Sequence, residues 1–261
     1  MIEIVFAILV MGIGSVLMAS LFVTSISLSQ QNLDDTTAAA TARNAFALLS
    51  TSMTHENTPP QGATLRPLNS SQALWQSISG NLINASDPRY AWTALFERQD
   101  GAGVARVVIF VERVKNRSTF DPAADLFEDP NDITGRGCSL QARPIDVMVR
   151  AEIDAPGGVM QFDTESPNAA AAAEGAFVVL AGGPDGAGRV LRLGNAKNAA
   201  LGEWYLFPGY EIRRPEDEVK TPATAYLVGR GYADPRRPVA GFDGPSQDIA
   251  VYTSWVLLRS D

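Results

Sequence analysis

The chain has 261 residues, of which 46% are apolar and 19% charged, and 29 acidic against 21 basic residues give a formal net charge of -8. An acidic chain without a basic run argues against nucleic acid as a partner, because binding phosphates requires clustered Lys and Arg. The single cysteine and single histidine exclude an internal disulfide and a zinc site built from Cys and His.

The first element in the chain is an apolar run from Ile4 to Val23, and no charged residue lies between Glu3 and Asp34. About 20 apolar helical residues, at a rise of 1.5 Å each, cover the ~30 Å hydrocarbon core of a bilayer. The run is also longer than the ~7–15 apolar residues of a secretory signal peptide, and it has no basic segment before it. It therefore predicts a membrane-spanning helix.

The helical period continues beyond this run, although the composition becomes polar. Apolar residues recur every three or four positions, as on one side of an amphipathic helix: Ala39, Ala42, Phe46, Leu49 and Met53. Pro59 and Pro60 then predict its end, because proline disfavours helical backbone. We predict one long helix as a first domain, residues 1–54, with an apolar half at 1–25 and an amphipathic half at 26–54.

The remaining residues, 55–261, predict a β-rich globular head with one short helix over residues 71–78. Two pairs of apolar runs enclose glycine-rich turns and predict β-hairpins, at residues 92–97 with 105–111 and at residues 177–180 with 189–193. Further strands are predicted at 146–153, 203–207, 225–228 and 249–258. About seven or eight antiparallel strands, packed partly on the polar half of the long helix, give an α+β fold.

An oxygen-rich loop in the head contains Asp125, Asp129 and Asp132. Calcium prefers such ligands, but the spacing does not match an EF-hand. A plain solvated loop has the same composition, so calcium is carried as a hypothesis and no other cofactor is predicted.

Three asparagines begin the Asn-x-Ser/Thr pattern of glycosylation acceptors, which chance also produces in polar chains: Asn69, Asn84 and Asn116. The glycine-rich segment 182–188 lacks the Gly-Lys-Ser/Thr ending of a phosphate-binding loop. Since no paired carboxylates, nucleophile or cofactor loop stands out, we predict no enzymatic activity.

The order of the first residues carries a family resemblance. Met1-Ile2-Glu3-Ile4-Val5, followed by Ala7 to Gly14, resembles the amino-terminal segment of type IV pilins and of the pseudopilins of type II secretion. In that family a prepilin peptidase removes a basic leader, the new first residue is N-methylated, and a Glu stands at the fifth mature position. Glu3 is third in this chain, so we expect two further residues and the leader to precede Met1. Ser20 stands where many family members have a proline.

The resemblance implies a long helix with a mainly antiparallel β head and a role as a structural subunit of a type IV pilus-like extracellular filament. Its implied partners are other copies of the chain, the pilus assembly machinery, the prepilin peptidase and, before assembly, the cytoplasmic membrane. Glu3 would pair with the amino terminus of an adjacent subunit and fix its register. Gly12, Gly14 and Ser15 would allow local helix melting or close packing. The residues implied in filament-core packing are Ile4, Phe6, Leu9, Val10, Ile13, Leu17 and Leu21.

Two alternatives remain open at this point. A pseudopilin of a type II secretion system would share every amino-terminal feature. An extracytoplasmic binding domain held by an uncleaved signal anchor would retain its leader and would not self-associate.

Overall fold

The computed structural model describes residues 2–58, 64–82, 86–87, 90–98, 101, 103–113, 142–152, 155–166, 169, 172, 174–181, 188–207, 218–228 and 247–259. It begins with α1, a single helix of 51 residues from Ile2 to Ser52. At 1.5 Å per residue this helix is about 75 Å long. The prediction of one long amino-terminal helix is confirmed.

Helix α1 ends before Pro59 and Pro60, the residues that were predicted to end it and that lie outside the described residues. The Asn57 side-chain amide donates a hydrogen bond to the Ser52 carbonyl at 2.7 Å, and Arg259 donates through Nη1 to the Thr51 carbonyl at 3.2 Å. The last carbonyls of a helix have no partner within it, so these groups satisfy them. Arg259 comes from the far end of the chain, which is why local sequence did not show this cap.

One further α-helix and ten strands lie in the described part of the chain. In chain order they are β1 (Arg66–Pro67), α2 (Gln72–Ile78), β2 (Tyr90–Arg98), β3 (Val104–Arg113), β4 (Arg143–Glu152), β5 (Ala155–Phe162), β6 (Phe177–Leu180), β7 (Val190–Asn198), β8 (Glu203–Leu206), β9 (Val219–Val228) and β10 (Gln247–Leu257). Both predicted hairpins are present, as the antiparallel pairs β2–β3 and β6–β7. The short helix is also confirmed.

The strands form two antiparallel systems, and this arrangement differs from the single β-rich head expected from the sequence. Four strands form a sheet in the order β1-β2-β3-β10, and six form a closed barrel in the order β4-β5-β8-β7-β6-β9. Strands β1 and β5 were not predicted. Pro156, Gly157 and Gly158 lie in β5, and these residue types are depleted in strands.

The four-stranded sheet packs one face against the second half of α1. The fully buried apolar residues of the helix and of the position just after it recur at steps of three and four, and they are Ala38, Ala42, Ala45, Leu49 and Met53. They share a core with sheet residues such as Phe96, Ile109 and Val256. Of the predicted stripe, Ala39 and Phe46 are only partly buried, so the buried face is shifted slightly around the helix. Its small alanines let the sheet approach the helix axis closely.

The opposite face of this sheet packs on the outside of the barrel. Leu95 and Phe110 of the sheet share a cluster with Phe177 and Val179 of β6. The rings of Phe110 and Phe177 have centroids 6.0 Å apart. Val178 and Leu180 of the same strand instead fill the barrel interior. Helix, sheet and barrel therefore form three successive layers, with β6 buried on both faces.

Candidate functional site

The main functional candidate is the first half of α1, which projects beyond the head. The large apolar side chains that the structure describes from Ile4 to Leu33 are 47–78% exposed, and α1 is long and apolar enough to cross a membrane. The exposed set includes every residue predicted to pack in a filament core, namely Ile4, Phe6, Leu9, Val10, Ile13, Leu17 and Leu21. The chain by itself thus leaves this surface uncovered.

Helix α1 runs without interruption through Gly12, Gly14 and Ser15. A Cβ atom added at either glycine would meet nothing within 4 Å. Contacts within the chain therefore do not require glycine at these positions. Close packing against another molecule and local melting both stay predictions. Glu3 lies in the first turn of the helix, and its side chain lies outside the described part, so its partner is also still a prediction.

Three hydroxyl groups within the apolar half are bonded to the helix itself. Ser15 Oγ donates to the Gly12 carbonyl at 2.8 Å, and Ser20 Oγ donates to the Leu17 carbonyl at 2.8 Å. Thr24 Oγ1 donates to the Ser20 carbonyl at 2.9 Å. Since an unbonded polar group in an apolar medium costs several kcal/mol, these bonds make the segment suited to lipid or to a packed helix core.

The head meets the helix at Asp34. The hydroxyl of the buried Tyr90 donates to Asp34 Oδ1 at 2.5 Å. The buried face of α1 begins one turn later, at Ala38. Nearby, burial raises the pKa of Tyr252, the carboxylate of Asp35 raises it further, and Arg43 opposes both effects. Polar contacts thus mark the boundary between the exposed and the covered parts of the helix.

A buried arginine makes a second set of polar contacts between the head and the residues that follow α1. Arg98 donates through Nη1 to the carbonyl oxygens of His55 at 2.8 Å and Thr58 at 2.6 Å. Its Nη2 lies 2.9 Å from His55 Nδ1. Because a guanidinium only donates, Nδ1 accepts this bond and the His55 proton resides on Nε2. The head therefore contacts Asp34 within the helix and His55 and Thr58 just after the helix ends.

No family model, no curated protein and no solved structure matches this chain. Its layout, a long apolar helix followed by antiparallel β-structure, is compatible with a pilin-like chain. The closed barrel is an addition that the resemblance did not lead us to expect.

A charged contact that the sequence did not predict joins the neighbouring sheet strands β2 and β3 and lies next to Gly188. Arg106 donates through Nη2 to Glu97 Oε2 at 2.5 Å, and the Glu97 side chain is 5% exposed. A Cβ atom at Gly188, in the turn before β7, would overlap the Arg106 guanidinium. The sequence signal was the charged pair Glu97-Arg98 at the end of an apolar strand, and Arg106 lies directly opposite Glu97 in the hairpin that the sequence predicted.

The other predicted site residues fall outside what the structure describes. This applies to the calcium candidates Asp125, Asp129 and Asp132 and to the acceptors Asn84 and Asn116. Asn69 lies in a 3-10 turn from Leu68 to Ser70, although its side chain is not described. Among the described residues, no group of three or more His, Cys, Asp or Glu side chains is arranged to hold a metal ion.

Two adjacent clefts of about 340 and 330 Å³ lie on the barrel surface and share Asp146 and Asp163. Their described lining is otherwise aliphatic, aromatic or neutral polar, apart from Glu165, and it contains no His, Cys, Lys or Arg. The described lining thus brings no basic or thiol nucleophile next to these carboxylates.

Proposed function

We propose that the chain is a structural, non-enzymatic subunit of a type IV pilus-like extracellular filament, assembled by packing of its amino-terminal helices. The observation that carries this proposal is the uncovered apolar half of α1 beside a head that has its own core. Fourteen large apolar side chains between Ile4 and Leu33 remain exposed. At about 1.5–3 kcal/mol for each fully buried side chain, leaving them in water costs on the order of 20 kcal/mol. That exceeds the ~5–15 kcal/mol stability of a typical domain.

The same surface suits two successive environments. Before assembly, Ile4 to Val23 would span the cytoplasmic membrane, because about 20 residues match the ~30 Å hydrocarbon core. In a filament, the helices of other copies would replace the lipid. One apolar environment is then exchanged for another, so extraction by the assembly machinery need not expose the segment to water.

The attachment of the head to α1 links helix packing to the position of the heads on the filament surface. Ala38 to Met53 are held by the sheet, and Arg98 holds the chain just after the helix. The position of each helix would therefore determine the position of its head on the filament surface. A rotation or translation between neighbouring helices would be transmitted directly to the spacing of the heads.

Within this function, Glu3 would neutralise the amino terminus of a neighbouring subunit. A buried carboxylate without a partner is penalised in every other axial register, so a pair of this kind selects one register. A prepilin peptidase would generate that amino terminus, two positions before Met1, by removing the leader.

The test combines one variant with a matched control. Glu3→Ala is expected to leave the head folded and the protein in the membrane, while filament yield falls severalfold or more. Glu56→Ala removes an exposed carboxylate near the other end of the helix and should give the wild-type yield. Normal filaments from Glu3→Ala would reject the register role.

Electron microscopy and mass spectrometry of filaments sheared from the source cells test the function itself. This chain should dominate long filaments and begin with a methylated residue. Recovery only from the membrane fraction would instead support a type II secretion pseudopilin. A retained leader without self-association would support an anchored binding domain.

A further inference from the structure

Strand β10 forms one edge of the four-stranded sheet, and half of its backbone groups point away from the sheet. Leu258 donates its amide to the Gly103 carbonyl at 2.9 Å, on the side of β3. Because backbone groups alternate in direction along a strand, those of Arg259 point the other way. The Arg259 amide donates to the Met53 carbonyl at 3.2 Å, and the Arg259 carbonyl accepts from the His55 amide at 3.1 Å. By the same alternation, the outward groups earlier in the strand belong to Val251, Thr253, Trp255 and Leu257.

This outer edge of β10, from Val251 to Leu257, has no backbone partner within the part of the chain that the structure describes. Its sequence contains no charged residue, no proline and no glycine. Natural proteins protect an unpaired edge with lysine, proline or a bulge, and the one irregularity of β10 lies nearer its start, between Asp248 and Ala250. The outer edge therefore has the character of a strand that another strand covers.

Two large apolar side chains stand at this edge. Trp255 is 56% exposed and Leu257 is 73% exposed, and they share a face because residues two positions apart in a strand do so. Val256 between them is buried in the core that contains α1, so the exposed pair lies on the face opposite the helix. Thr253 and Ser254 are exposed as well, which leaves the edge accessible from both faces.

A second copy of the chain does not suit this edge, and this step alone rests on the proposed function. Two β10 edges paired antiparallel would direct their α1 helices oppositely, whereas helices in one membrane or one filament run in parallel. Two edges paired in parallel would place the helices on opposite faces of the joined sheet, where they could not pack together. The other edge of the sheet, β1, offers only two residues, and one of them is Pro67, which cannot donate to a ladder.

We propose that the outer edge of β10 binds an extended, uncharged peptide segment of another protein by strand addition. The outward amide and carbonyl groups would pair with the backbone of this segment, a recognition mode in which main-chain bonds give affinity and alternate side chains give specificity. Every second residue of the segment would lie beside Trp255 and Leu257, so these positions should be apolar. A charge on the segment would find no opposite charge along the edge. Met53 and His55 already pair with Arg259, so the site ends there.

A proline at position 253 tests the proposal in the full-length chain in mild detergent. The Thr253 amide points outward, so Thr253→Pro removes one donor from the outer edge and keeps the bonds to β3. Thr253→Val retains the amide and is the matched control. The probe is a phage-displayed library of random peptides. Enriched peptides should carry an uncharged run with alternate apolar residues and should bind the wild type and Thr253→Val about tenfold or more tightly than Thr253→Pro.

A second measurement does not depend on the folding of Thr253→Pro. A synthetic copy of an enriched peptide is N-methylated at alternate residues, in each of the two possible phases. One phase should abolish binding to the wild type and the other should retain it, because only every second amide of an added strand faces the sheet edge.

Equal effects of the two phases, equal binding to Thr253→Pro, or no enrichment of peptides on the wild type would overturn the proposal. Dimers of the full chain in detergent that Thr253→Pro abolishes would assign the edge to a second copy and would also overturn it. The filament experiments measure the roles of α1 and Glu3, so their failure would leave a positive peptide result standing.

Discussion

Gly188 offers a sharp test of how the sheet and the barrel are held together. Its φ of +77 is in the left-handed region, as is the +74 of Gly101, but a Cβ at Gly101 would meet nothing within 4 Å. Gly101→Ala should therefore cost only the left-handed conformation, about 1–2 kcal/mol. Gly188→Ala carries the same cost and must also displace the Arg106 guanidinium. The guanidinium is the flexible end of its side chain, so this movement weakens its contact with the Glu97 carboxylate, which is 5% exposed.

Breaking a buried ion pair on one side costs about 3–5 kcal/mol, and the 21% exposure of Arg106 reduces this loss. Because the guanidinium can shift and keep part of the contact, we expect about 2–4 kcal/mol in total for Gly188→Ala. In a chain of this size, 1 kcal/mol lowers Tm by about 2–4 °C, so at about 3 °C per kcal/mol Tm should fall by about 6–12 °C, against about 3–6 °C for Gly101→Ala. Thermal unfolding of the full chain in mild detergent, monitored by near-ultraviolet circular dichroism, measures both shifts in Tm. Equal shifts for the two variants would refute the reasoning.

The mechanism can be separated from the magnitude by a double-mutant cycle. In an Arg106→Ala background the guanidinium is already absent, so Gly188→Ala should then cost no more than Gly101→Ala. The difference between the two backgrounds is the coupling energy. An unchanged cost would show that Gly188 is needed for the turn and not for its contact with Arg106.

Two further changes test the covered part of the helix and the barrel. Leu49→Ala removes a fully buried side chain and should cost about 2–5 kcal/mol, while Leu28→Ala, at an exposed position of the same helix, should leave the Tm of the head unchanged. Burial raises the pKa of Tyr226, so the unfolded chain releases this proton first and stability should decline as the pH rises past about 10. Tyr226→Phe should make this decline smaller in Tm measurements from pH 8 to 11, and an identical decline in both proteins would contradict the expectation.

The elements that local sequence predicted are those whose physical cause is also local. Residues 92–97 and 105–111 are apolar runs joined by a glycine-containing turn, and such a hairpin brings neighbours in sequence together. Helix α2 begins where Ser71 Oγ accepts a bond from the Leu74 amide at 3.5 Å, a cap that lies within one turn. The uncovered apolar half of α1 was likewise evident from composition alone.

The features that were not predicted depend on pairs of residues far apart in the chain. The barrel closes where β4 pairs with β9, with Ile145 opposite Ala225, and nothing near either residue indicates the other. The same holds for the cap that Arg259 gives to α1 and for the contact between Arg98 and the residues after the helix. Burial of Arg98 in β2 was hidden because its partners lie just after α1, whereas Glu97 pairs with Arg106 inside the predicted hairpin and that pair was not inferred.

The division of α1 explains how one helix can serve two environments. Its buried face begins at Ala38 and shares a core with the sheet, with α2 and with the segments beside them, whereas no described residue from Ile4 to Leu33 belongs to a core cluster. The stability of the head is therefore independent of what surrounds the apolar half. A change from lipid to protein around that half alters no contact within the head. The head can thus remain folded during the transfer that the proposed function requires.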